Sequence, residues 1–591
     1  MATCFLGLLV GLEGLAAADC PASAVRWASS SNRLYISGAV TCTLTDLDAL
    51  VSHAVLERTH KQNKIWMLRA NLLLQNGAAL RVTGEEASVL RLRSDASVAV
   101  FILADWGSID FDGVQVMGWD EAADTQDQSP EINGRAYILA RSRVDAAGVA
   151  RESSMKIRNG FVGFLGHGEK SDTYGLAWKV VGTPGDGLRI RGELVETFVQ
   201  QLHVGAYVAG GGDMNFHGNL IMQSTDAGIR LKDTVATALV DNDVNQNGKN
   251  GINCTEGCAD LFLQNNRLHS NTGSGIVLRR CAGPSVLESN ELFDNAEAGL
   301  ALVACDHNVV RFNDFLENKR GVRLSSGASD NLFELNDMER NFHGIYSYIG
   351  EAPPSGDGHP RGNVFLRNDL FSNEQAVYSN QADGAEYVRN IIGEYDYLFD
   401  GALLFQDSLD TVLAGNIIPI DALVHTRGSA GGGPNSTTYI TQAGYFAQAI
   451  APILIETSGQ ALTTFVETQD ITHTQDGSVL RTFATPTDNR APLPGIARTL
   501  YRSFPYFATP DSGEVEIFPG TANRWNVTNW FAPVSVTYTV GQLVPNTPYR
   551  VKKNGVVMTT VTSNASGVVT FSDVAPTQVA GQPNTRYEVL Q

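Results

Sequence analysis

Apolar residues recur along the middle of this chain in short alternating runs, and the breaks between runs are filled by Asn and Gly. NDVNQNGKNGI from Asn242, NRLHSNTGSGI from Asn266, NELFDNAEAGL from Asn290, NDFLENKRGV from Asn313, NDMERNFHGI from Asn336 and NDLFSNEQAV from Asn368 repeat one pattern. The leading Asn recurs at intervals of 24, 24, 23, 23 and 32. A second Asn follows five residues later each time, at Asn247, Asn271, Asn295, Asn318, Asn341 and Asn373. The long interval contains EAPPSGDGHPRG (351–362), a Pro/Gly insertion between repeats. Helical repeats would hold a period of ~3.6 over many residues, and Gly and Asn break the pattern too often for that. A period near 23 with these corners instead predicts one coil of a right-handed parallel β-helix per repeat, from about residue 155 to 400. Coils stack at ~4.8 Å, and the Asn columns are predicted to bond the coil above and below while supplying left-handed corner geometry.

The strand after each corner Gly gives the register. Gly228-Ile229-Arg230-Leu231-Lys232 aligns with Gly251-Ile252-Asn253-Cys254-Thr255, Gly275-Ile276-Val277-Leu278-Arg279 and Gly299-Leu300-Ala301-Leu302-Val303. Gly321-Val322-Arg323-Leu324-Ser325 and Gly344-Ile345-Tyr346-Ser347-Tyr348 complete the set. Positions one and three after the Gly are apolar and point inward, so positions two and four share the outer face. That face carries Arg230, Lys232, Asn253, Thr255, Arg279, Arg323, Ser325, Tyr346 and Tyr348, with Tyr207 one coil before Arg230. Tyr207, Arg230 and Asn253 are expected to align on consecutive coils. A basic and aromatic stripe suits an anionic sugar chain, with cations for carboxylates and rings for sugar faces. Taken singly, Arg279 or Arg323 reads first as an ordinary solvated side chain. The 351–362 insertion, next to Tyr346 and Tyr348, is expected at the rim of this groove.

The flanks differ. RLYISGAV (33–40), AALRVTGEEASVLRLRS (78–94) and VAVFILA (98–104) place an N-terminal cap and the first coils in residues 19–150, with the β-helix proper over 151–426. RGSAGGGPNSTT (427–438) reads as a linker, 439–514 show no clear element, and the alternating strands and KNG turn of 515–591 predict a small β-sandwich-like module. Residues 1–18 resemble a signal peptide, although no basic segment precedes the apolar run and Glu13 interrupts it. The expected location is therefore secreted, extracellular or cell wall.

Composition narrows the partner. The 591 residues carry a formal net charge of −20, which argues against nucleic acid but not against an anionic polysaccharide held in a local basic groove. No apolar run reaches the ~20 residues that span a membrane. Of seven cysteines, Cys20 and Cys42 are placed to pair. Cys258, Cys281 and Cys305 fall at similar places in successive coils, read as a buried thiol column or as a pairing of Cys254 or Cys258 with Cys281. Sequons at Asn253, Asn435, Asn526 and Asn564 suit export. No metal-ligand set and no cofactor motif are legible; calcium stays open only because sugar-acid enzymes often use it. Oligomeric state is not legible either.

Residues 134–350 resemble the mannuronan C5-epimerases, β-helix enzymes that convert mannuronate to guluronate within alginate, most closely the algal branch. The likeness lies in GRAYI (134–138), FVGFLGHGEKSDTYGLAWKVVG (161–182), VGAYVAGGGD (204–213), RGVRLSSGASDNL (320–332) and HGIYSYIG (343–350). The family's signature Tyr-Gly-(Phe/Ile)-Asp-Pro-His-Asp is replaced here by Ala227-Gly228-Ile229-Arg230-Leu231-Lys232-Asp233. Its histidine mechanism therefore does not carry over. His167, His203, His217, His269, His307 and His343 read as structural or surface residues. Abstracting a uronate C5 proton needs a cation at the C6 carboxylate, a base and a proton donor. Arg230 is the candidate cation, Lys232 the candidate base if Arg230 depresses its basicity, and Tyr174, Tyr207 or Lys179 the candidate donor. Asn253, Arg279, Arg323, Tyr346 and Tyr348 are candidate substrate contacts. Three readings stay open: an epimerase with a rebuilt site, a lyase that β-eliminates from the same carbanion, and a silent alginate-binding cell-wall protein.

Overall fold

The computed structural model describes residues 20–393 apart from 96, 129–133, 169–171, 183–186 and 353–355, and from 402 to 591 the strands with a minority of their connections. The chain divides into two units, 1–237 and 238–591. Each is built of right-handed parallel β-helix coils in which three strands feed three parallel sheets.

In the first unit, the first sheet stacks Arg33–Ser37, Asn71–Gln75, Phe101–Asp105, Tyr137–Val144, Gly175–Val181, Val204–Ala209 and Ile229–Lys232. The second runs from Thr41–Cys42 to Asn215–His217, and the third from Ile65–Leu68 to Leu220–Met222. A short helix, Leu44–Asp48, belongs to the N-terminal cap. Thr43 and Asp46 close it with a reciprocal capping box, and Leu44 and Leu47 are buried. Cys20 and Cys42 form the expected disulfide.

In the second unit the first sheet runs from Ile252–Cys254 through Ile276–Arg279, Ala298–Val303, Arg320–Ser325, His343–Tyr348 and Gln375–Asn380 to Leu403–Gln406. Its coils are held by asparagine. The Asn266 backbone N–H and Nδ2 both donate to Asn290 Oδ1, at 3.0 and 2.9 Å, while Nδ2 also donates to Leu239 O at 2.7 Å. The same bonds repeat in the column from Asn242 to Asn416 and in the one from Asn247 to Asn373. A third column, Asn308, Asn331 and Asn363, stands at the entry to the second sheet. Inside, Phe333, Phe365 and Tyr387 stack at 4.9 and 4.8 Å.

The corner geometry corrects one expectation. The left-handed residue is the one before each Asn: Asn265, Ser289, Phe312, Leu335 and Arg367 have φ of 53°, 56°, 57°, 55° and 55°. The Asn must turn its amide inward to reach the next coil, so its predecessor takes the bend. That conformation costs roughly 1 kcal/mol or more for a bulky residue and persists because the ladder enforces it. The thiol column and the pairings with Cys281 are also overturned: Cys254 bonds Cys258, and Cys281 bonds Cys305 one coil on. Separations of 4 residues within one turn and of 24, one coil, bring those pairs together.

The predicted linker fails at both ends. Leu423–Gly428 pairs in parallel with Leu403–Gln406, and Ser436–Thr441 with Thr411–Ala414, while 429–435 lie outside the described residues. Parallel pairing continues through Ile453–Gly459 and Ile471–Asp476, strands too polar in their alternation to stand out in sequence. Antiparallel pairing begins where Thr499–Ser503 meets Val479–Thr482 and Val534–Gly541. The KNG turn joins Pro548–Lys553 to Val556–Thr562 with positive φ at Asn554 and Gly555, as a two-residue hairpin requires. Residues 1–18 also lie outside the described residues.

Asn290→Ala would remove at once the acceptor of the Asn266 backbone N–H and Nδ2 and the side-chain donor to Leu263 O. A loss of about 2–4 kcal/mol is expected from urea unfolding, since each buried unpaired group costs about 1–3 kcal/mol. A change below 0.5 kcal/mol, about the size of a neutral surface substitution, would refute the ladder's role.

Candidate functional site

In the first unit, Ala177, Tyr207 and Arg230 stand in register on the outer face of the first sheet. Two residues further along the strands, a second outward column reads Asp105, Arg141, Lys179, Ala209 and Lys232. Ala209 thus lies between Lys179 and Lys232, one coil to either side, which separates the two lysine backbones by ~10 Å. Tyr207 shares its strand with Ala209, so a phenol and two lysines flank this methyl-bearing position.

Tyr174 precedes strand Gly175–Val181, and its ring meets the edge of Tyr207 at 5.0 Å and His203 at 5.5 Å. The Arg230 guanidinium lies 5.5 Å from the Tyr174 ring centroid. Burial pushes the Tyr207 phenol up to about 12, and Asp172 and Tyr174 add to the shift. It therefore stays protonated across the physiological range, as a donor must.

The expected basic stripe is largely compensated. Arg230 Nη2 lies 2.6 Å from Asp226 Oδ1, and Lys179 Nζ donates to both Asp172 oxygens at 2.5 and 2.6 Å. Arg141 and Arg143 converge on Asp105, whose carboxyl is lowered because their hydrogen bonds outweigh its burial. Half-buried cations need partners, and the acids come from corners that strand alignment does not reach. Asp172 and Asp226 were missed for that reason. Asp226-x-x-x-Arg230 within one coil was the available signal.

In the second unit, one outward column runs Asn253, Val277, Ala301, Arg323, Tyr346 and Tyr378, and the other Arg279, Val303, Ser325 and Tyr348. Tyr207, Arg230 and Asn253 are all half-buried on outer faces, none in a core. Ser325 departs from its reading, being 1% exposed beneath its neighbours. The small residues Val277, Ala301 and Val303 floor a cavity of about 410 Å³, also lined by Arg279, Arg323, Tyr348, Glu297 and Glu351. Arg323 Nη2 donates to the Tyr348 hydroxyl at 2.7 Å. Tyr346 and Tyr348 lie 5.1 Å apart. Glu351 brings the start of the inserted segment to the cavity, and Gly358 O accepts from Gly327 N–H.

Tyr378, Arg320 and His343 were not anticipated as part of this face. Tyr346 stacks on Tyr378 at 4.9 Å, and the Arg320 guanidinium lies 4.5 Å from the Tyr346 centroid while bonding Glu297 at 3.0 Å. His343 packs 4.8 Å from Tyr346. Burial, reinforced by Arg320, lowers its imidazole to about 4, so it is neutral at physiological pH. Arg320 and His343 directly precede corner glycines, a position the inward/outward alternation does not assign. Tyr378 lies in QAVYSN, where the corner Gly is replaced by Ala376.

A family model described as periplasmic copper-binding protein (NosD) matches residues 182–351. No curated protein sequence matches the chain. The crystal structure of the periplasmic alginate epimerase AlgG superposes with a TM-score of 0.52 at 17% identity, covering 65% of this chain and 85% of that one. The A-module of the Azotobacter vinelandii mannuronan C-5 epimerase AlgE6 follows at TM-score 0.32 and 15% identity, covering 59% and 92%. Pectate lyase Pel9A follows at 0.30 and 12%, covering 50% and 70%. The AlgG likeness shows the class, a right-handed parallel β-helix; the other two scores are too low to add to it. Cys20, Cys42, Cys254, Cys258, Cys281 and Cys305 are in disulfides, and no three His, Cys, Asp or Glu side chains converge among the described residues. These residues do not fit a copper site, and no chemistry is routed through one. Among the described residues no helix is long and apolar enough to cross a membrane.

His343 generates a pH prediction. Its folded pKa of about 4 lies below the free value of 6.5, so its contribution to stability is complete above pH 6.5 and is lost as pH falls toward 4. Asp95, held at about 2, acts in a separate window below 3.8. His343→Gln should flatten the fall in melting temperature between pH 6.5 and 4 relative to the unsubstituted protein; parallel curves would refute it.

Proposed function

We propose that this protein acts on a uronate polysaccharide of the alginate type at C5 of mannuronate, as an epimerase with a rebuilt site. The observation that carries the reading is the register that sets Tyr207, which keeps its proton, beside Arg230 and Ala209 beside Lys232 in the next coil. Lys232 takes the C5 proton on Nζ, and the electron pair moves into the C6 carboxylate. Arg230, oriented by Asp226, stabilises that charge. The Tyr207 hydroxyl then returns a proton to the opposite face of C5. Lys179, tied to Asp172, holds a cation on the other side of Ala209, and Tyr174 packs against Tyr207 and Arg230. If the electron pair expels the 4-O-linked sugar instead, the same start gives a lyase. Arg279, Arg323, Tyr346, Tyr348 and Asn253 are proposed as a polysaccharide-binding face of the second unit taken by itself. Export to an extracellular or wall compartment accords with a polymeric substrate and with the disulfides.

One observation favours the silent binding reading: Arg230 and Lys179 are already neutralised by Asp226 and Asp172. Incubation with polymannuronate separates the outcomes. New guluronate signals by NMR support the epimerase, ultraviolet-absorbing unsaturated ends mean lyase, and binding without either means a silent relative.

Lys232→Ala and Tyr207→Phe should each lower turnover by ~10²–10⁴, the usual loss with an essential acid or base. Arg230→Ala should raise KM as well. Because Tyr207 holds its proton to about 12, no alkaline loss of activity from this group is expected until well above pH 10. Full activity in Lys232→Ala would displace the site.

A further inference from the structure

The second sheet of the second unit has an outer face unlike its counterpart in the first. Its outward residues Phe262, Val286, Val309, Leu332 and Val364 stand in register on five consecutive coils, preceded by Ala238. The inward partners Leu263, Leu287, Val310, Phe333 and Phe365 form the core. The apolar column is therefore additional to the core. At ~4.8 Å per coil it runs ~24 Å. The left-handed corners widen it with Phe312, 48% exposed, and Leu335, 40% exposed. In the first unit, the outer face of the second sheet carries Arg81, Asp110, Lys156 and Glu193 instead. Coil stacking thus does not demand an apolar exterior here, and an apolar stripe of this length on a surface with a formal charge of −20 marks a contact.

The order of residues identifies the partner. The stripe has six coils, and its midpoint falls between Val286 and Val309. The column beside it holds Glu288 and Arg311 on either side of that midpoint, already paired within the chain at 2.9 Å. A two-fold axis lying in the surface at the midpoint, along the strands, sets coil against coil in reverse order. Val286 then faces Val309, Phe262 faces Leu332, Ala238 faces Val364, and Glu288 faces Arg311 of a second copy, twice over. Gln264 meets Glu334, and at the corners Asp241 meets Arg367. Along the two strand columns each step brings apolar to apolar, polar to polar or opposite charges together, while at the inner corners Asn265 meets Leu335 and Ser289 meets Phe312; the strand columns carry the self-complementarity that an isologous contact requires.

We propose that two copies of this chain associate, antiparallel, through the outer face of the second sheet between Ala238 and Val364. The charge order sets the register, and the apolar column excludes water between the copies.

Light scattering after size exclusion, on the full chain over a broad concentration series, should give twice the chain mass. Val309→Lys should give the single mass with unchanged melting temperature, because Val309 points outward. Glu288→Arg and Arg311→Glu should each be monomeric, since each sets like charges across the axis. Mixed in equal amounts, those two variants should recover the double mass, because each then meets its opposite. A single mass for the unsubstituted chain at every concentration overturns the proposal; a stripe covered by another segment of the same chain gives that result. A double mass that survives Val309→Lys, or a mixture that stays monomeric, overturns it as well.

Discussion

The repeated bond from one asparagine amide to the next is the constraint on which the second unit depends. A β-helix coil is short and cannot bury enough apolar surface by itself, so it is stable only in a stack. Each Asn in the ladder satisfies its own donors and acceptor with the coils above and below, as Asn266 does with Asn290 and Leu239. The bonds are buried, so a slipped register would leave amides unpaired at every corner. Register follows, and with it the vertical alignment of every outward side chain.

That alignment is what makes the outer faces usable. Side chains two residues apart on a strand and one coil apart in the stack form a grid of fixed spacing, and what stands on the grid is free to vary. On the first sheet it carries arginine, lysine and tyrosine, and in the second unit Val277, Ala301 and Val303 leave room between them. The second sheet of the second unit carries an apolar column, and the same sheet of the first unit an ion-paired one. The same backbone thus presents a polar groove, a dry stripe and a charged wall.

On the outer face of each unit the electrostatics are set by compensation. Arg230 with Asp226 and Lys179 with Asp172 in the first unit, and Arg320 with Glu297 in the second, each hold a cation in one orientation. A guanidinium fixed in this way loses less freedom on meeting a further anion than a solvated one does. Tyr207 and His343 show the other effect of a crowded face: burial keeps the phenol protonated and the imidazole neutral.

The sequence by itself determined the coil period, the inward and outward strand positions, and the two long Asn columns, because these depend on local alternation and a fixed repeat. Arg230, Tyr207, Arg279, Arg323, Tyr346 and Tyr348 were legible as outward residues for the same reason. Tertiary structure alone decided the rest. Asp226 and Asp172 meet their cations across corners whose path no periodicity describes. Arg320 and His343 flank a glycine at which alternation loses its phase, and the third Asn column begins only at Asn308. The partners of Cys254 and Cys281 depend on how loops lie from coil to coil. The parallel strands between residues 423 and 482 are recognisable by their pairing, not by their composition. Sequence spacing fixes which way a side chain leaves a regular strand; what it meets at a corner depends on where the chain returns one coil later.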